Sequence, residues 1–214
     1  MMNQPVNLDI FADPVCPWCL IGKAELDRAL ESRADHPFQL VWHPFRLNPQ
    51  FPKGGMDRGD YLRAKFGDRA EESMKPVAKR AAALGLNLVP VKRQPDTTDA
   101  HRLMHWAGIE GAQTRVMSGL LAAHWLEGRD IGNAETLAQI SAKADMAADV
   151  ITRLLASDAD QDVINTRELH ARERGINSVP TFIIADRHAV SGAQPAHLWQ
   201  NVIDELSQGA DSSR

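Results

Sequence analysis

Residues Asp13–Cys19 read DPVCPWC and contain both cysteines of the chain, Cys16 and Cys19. An apolar run precedes this motif and helical spacing of apolar residues follows it, so the motif is expected between a strand and a helix. The N-terminus of a helix has unpaired N–H groups and partial positive charge. We therefore predict that Cys16 is an exposed thiolate with a lowered pKa. Cys19, one turn later, is placed to close a disulfide with it.

Two other interpretations of the cysteine pair remain open on the residues alone. Half of a zinc site is one, although structural zinc usually requires four ligands and the chain has no second pair. Two buried structural thiols are the other, since free cysteine packs like a small apolar residue. A CxxC beside a strand–helix pattern is nevertheless typical of redox proteins.

The composition limits the classes of partner. The 214 residues are enough for one large domain, or for a domain with a sizeable insertion. The net charge of −4 and the lack of a basic tract make nucleic acid and anionic membranes poor candidates. The N-terminus lacks the basic and apolar regions of a secretory signal, and no apolar run approaches the ~18–20 residues of a membrane helix. We predict a cytoplasmic protein, in which a CxxC cycles rather than remaining oxidised.

Apolar periodicity divides the chain into two α/β ends around a helical block. We predict an α/β fold in which residues 1–56 and 175–214 form one discontinuous domain and residues 57–174 form an inserted, all-helical domain. The predicted strands are 6–13, 38–45, 181–185 and 189–191, and helices follow the motif as far as Arg33 and close the fold over 195–206. Within the block, helices are predicted at 60–66, 70–84, 98–107, 114–127, 134–142, 147–155 and 158–174. The polar tail, 208–214, is expected to fray.

A second candidate part of the site is the Val179-Pro180 step, directly before the third strand. A proline at this point would remove a hydrogen-bond donor from the sheet if the strand began earlier. It also fits a fixed bend. On the residues alone an ordinary trans proline at the start of a strand is favoured.

Taken together, several segments resemble the DsbA family of thioredoxin-fold proteins, and within it the cytoplasmic FrnE-like branch. That branch is related to 2-hydroxychromene-2-carboxylate isomerases and kappa-class glutathione transferases. The likeness extends from Val6 to about Leu206. The segments that carry it are CPWC at 16–19, PFRLNP at 44–49, AHRL at 100–103, VPTF at 179–182 and SGAQP at 191–195.

The resemblance implies a thioredoxin fold with a cis Val179-Pro180 bond beside the cysteines. Cys16 would be the nucleophile and Cys19 the resolving thiol of an enzyme that exchanges disulfides in protein or small-molecule substrates. Substrate-binding roles would fall on Pro17, Trp18, Val179 and Pro180. Trp18 stands where strongly oxidising periplasmic members have histidine, which implies a less acidic Cys16 and a less oxidising disulfide.

No bound cofactor and no metal are implied, with glutathione or a thioredoxin system as redox partner and a homodimer as one assembly to consider.

The alternative function is that of a glutathione-dependent transferase or isomerase on the same fold. Those relatives have an Asp-x-x-Ser-Pro pattern, whereas this chain has Cys16 in place of the serine. They also tend to have a Gly-x-Asp-Arg segment that binds glutathione, where this chain has 192–194 as GAQ. Both differences favour dithiol chemistry. Asp13 is either a turn residue at the end of the strand or a proton relay. A non-catalytic module that senses redox state is the third interpretation.

The helical block holds further candidates. His101 and His105 share a helix face, but Arg102 follows the first histidine where the metalloprotease motif requires glutamate. We expect a packed or substrate-lining helix, with His101, Met104 and Trp106 facing the cysteines. We expect His124 and Trp125 to lie in the core or in an interface. The charged run 167–174 is expected to form a solvated helix face. Apolar stripes, including Val150, are expected in the core.

Overall fold

A computed structural model describes the backbone of residues 5–211 and the side chains of residues 5–208. The last helix continues to Asp211, beyond the predicted end at residue 206, and fraying of the backbone over 208–211 stays a prediction. Residues 212–214 of the predicted tail, and residues 1–4, lie outside the described part.

Four strands from the two ends of the chain form one sheet, in the order β2 (Phe38–Pro44), β1 (Val6–Ala12), β5 (Thr181–Ile184) and β6 (His188–Ser191). The central strand β1 pairs in parallel with β2 and antiparallel with β5, and Ile10 stands opposite both Trp42 and Phe182. The last strand is antiparallel to β5.

Helices cover both faces of the sheet. Successive residues of a strand point to opposite faces, so each strand contributes side chains to the packing on both. Ile10 and Phe182 belong to the main core cluster, whereas their neighbours Phe11 and Ile183 belong to a second, smaller cluster. The ring of Trp199, fully buried on the last helix, packs edge-on against Phe182 with the ring centres 4.7 Å apart.

The connection from β1 to β2 is a helical crossover, as a parallel strand pair requires. This helix, α1 (Pro17–Ser32), packs beside the last helix, α10 (Ala196–Asp211). A glycine lets it approach the start of β5, since a Cβ on Gly22 would lie 3.0 Å from the Pro180 side chain.

The segment between the two ends is helical, as predicted. Its helices are α2 (Arg58–Phe66), α3 (Ala70–Ser73), α4 (Lys75–Ala83), α5 (Thr98–Ile109), α6 (Gln113–Trp125), α7 (Ala134–Lys143), α8 (Ala148–Leu155) and α9 (Gln161–Glu173). The prediction of a single helix over 70–84 is wrong, since the helix is interrupted at Met74. Pro76 lies in the first turn of α4, where a missing N–H costs little, and could not continue an earlier helix.

A two-stranded sheet of β3 (Met56–Asp57) and β4 (Arg93–Gln94) was not predicted, because two residues give no periodicity. The main core cluster runs without interruption from the sheet into the helical segment. The predicted α/β fold with a helical insertion is confirmed. The division at residues 56/57 and 174/175 remains a prediction. Val150, predicted in the core, is exposed.

None of the helices described over residues 5–211 has both the length and the apolar character needed to cross a membrane.

Candidate active site

The two cysteines lie where β1 passes into α1. Cys16 is the N-cap residue of α1 with extended backbone angles, and Pro17 occupies the first turn, as predicted. The Cys16 N–H donates to the Asp13 carbonyl at 2.9 Å, and the Cys19 N–H donates to the Cys16 carbonyl at 3.0 Å. These two bonds fix the turn and hold both side chains at the same helix end.

The surroundings of the two free thiols shift their pKa values in opposite directions. A hydrogen bond from the Cys19 thiol lowers the pKa of Cys16 despite its burial, helped by the backbone N–H groups of Cys19 and Trp18. Burial, followed by the adjacent Cys16 sulfur, raises the pKa of Cys19 well above its ordinary range. Near neutral pH the first sulfur is therefore the better nucleophile and the second keeps its proton.

The hydrogen bond from Cys19 can be tested by the pH dependence of alkylation. We expect iodoacetamide to label Cys16 with a midpoint below that of an unperturbed cysteine thiol. Cys19→Ala should raise this midpoint, because the thiolate loses its donor, while Cys19→Ser keeps an O–H donor and should raise it less. Mass-spectrometric mapping identifies the labelled residue. An unchanged midpoint in Cys19→Ala would remove this explanation of the lowered pKa.

The Val179-Pro180 peptide is cis, as the family resemblance implied. The Val179 carbonyl oxygen lies 3.5 Å from the Cys16 sulfur. The Pro180 carbonyl accepts from the Gly192 N–H at 2.8 Å, so the start of β5 is tied to the chain that follows β6. Two segments 163 residues apart thus meet at the first sulfur.

Cys16 is only 4% exposed, which corrects the expectation of an exposed thiolate. The sulfur-bearing residue is nevertheless not sealed, because it lines a pocket of about 260 Å³. Pro17, Trp18 and Val179 line the same pocket, and Trp18 is 38% exposed at its edge. Neither Cys19 nor Pro180 is among the lining residues. A small molecule, or one side chain of a larger one, can therefore approach Cys16 but not Cys19.

The helical segment supplies side chains to this site that the sequence did not reveal. Arg58 and Tyr61, both on α2, line the pocket opposite the motif. The Trp125 indole N–H donates to the Pro14 carbonyl at 3.0 Å and so holds the turn in front of Cys16. The Arg58 guanidinium lies over the Trp125 ring, 5.1 Å from its centre. Trp125 was expected in the core, and it is buried.

Asp13 is almost completely buried, with 1% exposure. One carboxylate oxygen accepts from the Leu47 N–H at 2.8 Å, and the other accepts from the Val15 N–H at 3.3 Å. The second oxygen also lies 3.7 Å from Nε2 of His101, a ring nitrogen that has no hydrogen-bond partner. The turn role is thus visible in the geometry. The negative charge of Asp13 also partly opposes the lowering of the Cys16 pKa and adds to the raising of the Cys19 pKa.

The histidines of α5 and α6 separate into different surroundings. Nε2 of His101 lies 3.7 Å from the Asp13 carboxylate, and Nδ1 of His105 contacts Arg167 at 3.4 Å. Both histidines line a small recess apart from the cysteine pocket, so the expectation that His101 faces the cysteines is not met. Over the described residues no cluster of three metal-ligating side chains occurs. His124 is buried, and burial lowers its pKa to about 4.

The expectation that Trp106 faces the cysteines is wrong, because its indole N–H donates to the Asp160 carboxylate at 2.8 Å and its side chain does not line the cysteine pocket. Met104 lines a small recess with Trp42 and His43 instead of the cysteine pocket.

A larger cleft of about 530 Å³ lies away from the cysteines. Its buried arginines are neutralised within the chain, since Arg46 pairs with Glu168 and Arg102 pairs with Asp99. We assign it no ligand.

The site combines a dithiol at the start of a helix with a cis proline that follows the inserted helical segment. This combination defines a thioredoxin-fold protein of the dithiol class. The model of the DSBA-like thioredoxin domain matches residues 7–204. The chain belongs to that DsbA-like family, whose structural neighbours include disulfide oxidoreductases and an isomerase.

Among the relatives, uncharacterized protein YwbO of Bacillus subtilis is 25% identical over 94% of this chain and 96% of its own length. The probable DsbA oxidoreductase SCO1869 of Streptomyces coelicolor is 26% identical, with a TM-score of 0.84 over 95% of this chain and 90% of that one.

Two more distant structures share the fold. A 2-hydroxychromene-2-carboxylate isomerase has a TM-score of 0.75 at 16% identity, over 97% of this chain and 100% of that one. The cytosolic disulfide reductase DsbM of Pseudomonas aeruginosa, solved with GSH, has a TM-score of 0.65 at 15% identity, over 97% and 98%.

Proposed function

We propose that the protein is a thiol–disulfide oxidoreductase that acts through Cys16 and Cys19 on protein or small-molecule disulfides. One observation carries the proposal. The sulfur with the lowered pKa lines an open pocket, while the sulfur with the raised pKa lies behind it at the same helix end. A structural thiol pair has no need of this asymmetry.

In the proposed reaction the Cys16 thiolate attacks one sulfur of the substrate, and the other substrate sulfur leaves as a thiolate and takes a proton. Cys19 then loses its proton and attacks the Cys16 sulfur, which releases the second substrate thiol. The substrate gains two electrons, and the Cys16–Cys19 disulfide holds the oxidising equivalent. A thiol reductant restores the dithiol, and the reverse sequence oxidises a substrate.

Several finer roles belong to the same proposal. The backbone of Val179 would pair with an extended substrate in the manner of an added strand, beside Pro180. Pro17 and Trp18 would form the near wall of the pocket. Glutathione is a candidate reductant, supported by the DsbM structure with GSH. We propose a cytoplasmic location and no resident cofactor.

The proposal is tested by the reduction of insulin and of bis(2-hydroxyethyl) disulfide with dithiothreitol as reductant. We expect the purified protein to accelerate at least one of these reactions well above the rate with dithiothreitol alone. The rival is a glutathione-dependent transferase or isomerase, whose fold the chain shares. No acceleration, together with glutathione conjugation that survives Cys19→Ser, would replace the proposal with this rival.

Asp13 is our candidate for the group that accepts the Cys19 proton. It is a buried carboxylate whose charge acts on both sulfurs, and His101 beside it has a ring nitrogen without a partner. A carboxylate in such a place can take a proton and share it with the imidazole.

We expect Asp13→Asn to slow the resolution of the mixed disulfide by roughly 100-fold. Alkylation of Cys16 should not slow, because loss of the negative charge lowers the pKa of that thiol further. Rapid-quench mass spectrometry separates the two steps. His101→Gln, which retains a polar side chain, is the companion variant. Equal resolution rates in Asp13→Asn and the parent protein would exclude the relay.

A further inference from the structure

The pocket in front of Cys16 contains a buried cation. Arg58 is the first residue of α2, is 8% exposed, and lines the pocket together with Cys16. Its guanidinium lies 5.6 Å from the centre of the Tyr61 ring and 5.1 Å from that of Trp125. The two rings hold the planar group in place.

Over the described residues no carboxylate pairs with this guanidinium. It donates to the side-chain carbonyl of Gln94, and its other nitrogen approaches the Met74 sulfur at 3.9 Å. The two other arginines that are at least nine-tenths buried behave differently, since Arg46 pairs with Glu168 and Arg102 pairs with Asp99. The Cys16 sulfur is the anionic group of the pocket that acts on Arg58 through its charge. A buried guanidinium without a carboxylate partner is costly, so a carboxylate that enters the pocket gains from meeting it.

The rest of the pocket lining increases the positive potential. It contains no aspartate and no glutamate, and its second cation, Lys65, lies near the opening over the ring of Phe66 at 5.6 Å. The Lys65 amine donates to the Tyr61 hydroxyl at 2.9 Å. With Trp18, these aromatic side chains give the walls apolar surface. The volume, about 260 Å³, is slightly below the range of about 300–1,000 Å³ typical of ligand pockets and so suits a small ligand.

We propose that the pocket selects low-molecular-mass disulfides that carry a carboxylate, and that Arg58 binds this carboxylate while Cys16 attacks the disulfide. A guanidinium presents paired N–H donors that match a carboxylate, and its fixed position orients the substrate sulfur. The reaction balances as in the proposed function: two electrons pass from the dithiol to the substrate, and two thiols leave. The inference rests on that function.

The test uses three disulfides that differ mainly in charge: bis(2-carboxyethyl), bis(2-aminoethyl) and bis(2-hydroxyethyl) disulfide. Each catalysed kcat/KM is divided by the rate constant of the same disulfide with dithiothreitol alone, which removes intrinsic reactivity. We expect the parent protein to prefer the dicarboxylate over the diamine by at least ~10-fold, the effect of about 1.4 kcal/mol. Arg58→Met should reduce this ratio by a similar factor. Arg58→Lys, which keeps the charge without the paired donors, should give an intermediate ratio.

Arg63→Met is the matched control. Arg63 lies on the same helix, but it is exposed, pairs with Asp60 and does not line the pocket. Its substitution should leave the three ratios unchanged. This control separates the effect of a cation inside the pocket from the effect of the net charge of α2.

The outcomes distinguish the inference from the proposed function. If no disulfide is turned over faster than with dithiothreitol alone, the proposed function fails. If all three are turned over without a charge preference in the parent protein, the inference alone fails. If Arg58→Met slows all three equally, Arg58 only stabilises the Cys16 thiolate, and the substrate class is overturned.

Discussion

Cys16→Ser is expected to abolish disulfide exchange, with a fall of more than ~1,000-fold in the rate of bis(2-hydroxyethyl) disulfide reduction. The hydroxyl of serine is a far weaker nucleophile than a thiolate near neutral pH. Cys19 cannot replace Cys16, because its pKa is raised well above the ordinary range and it does not line the pocket.

Cys19→Ser should behave differently, because it leaves the attacking sulfur in place. The variant should react once with bis(2-hydroxyethyl) disulfide and retain one mercaptoethanol group on Cys16, visible in the mass of the intact protein. Cys16→Ser should acquire no such group. Circular dichroism of both variants controls for folding. Exchange by Cys16→Ser at a rate near that of the parent protein, or an adduct on its Cys19, would contradict the assigned roles.

The parts of the site that the sequence predicted are those whose signal is local. The motif, the preceding strand and the helix start are contiguous, so β1, α1 and the placement of Cys16 at the N-cap follow from a few residues. The cis Val179-Pro180 peptide was reached only through the family resemblance, because isolated sequence favours trans. The predicted exposure of Cys16 was wrong because its surroundings come from distant segments, such as Val179 and the α2 residues that line the same pocket.

The residues that complete the pocket could not be found from the sequence. Arg58 stands in a polar stretch, DRGD at 57–60, where a solvated side chain is the ordinary expectation. Its burial follows from the packing of α2 against Trp125 and Gln94, both contributed by later parts of the helical segment. The contribution of Trp125 to the site could not be predicted either, because its hydrogen bond to the Pro14 carbonyl joins residues 111 positions apart.

The charged run at 167–174 shows that helical periodicity does not predict which charged side chain is buried. The i,i+4 pair of Glu168 and Arg172 is present at 2.7 Å, as expected of such a helix. The solvated face was nevertheless wrong for Glu168, whose side chain is 3% exposed. Its second oxygen accepts from Arg46 at 2.6 Å, and Arg46 follows β2 in a part of the chain that has no sequence relation to α9.

Arg46→Met is expected to destabilise the protein by about 3–5 kcal/mol, the usual cost when one member of a buried ion pair is removed. Its guanidinium also donates to Thr98 at 2.8 Å and to Asn165 at 2.7 Å, so the substitution removes three hydrogen bonds, one of them to the buried Glu168 carboxylate. Urea unfolding followed by far-ultraviolet circular dichroism gives the free energy of unfolding.

Two further variants decide whether the effect comes from the loss of the buried Arg46–Glu168 ion pair. Arg153→Met breaks an exposed ion pair with Asp149 and should cost less than ~1 kcal/mol. Adding Glu168→Leu to Arg46→Met removes the buried carboxylate, which then has only Arg172 as an ionic partner, and should recover part of the loss, since two apolar side chains often replace a buried pair at little cost. A loss in Arg46→Met no larger than that in Arg153→Met would show that the buried pair contributes nothing to holding α9 against the end of β2.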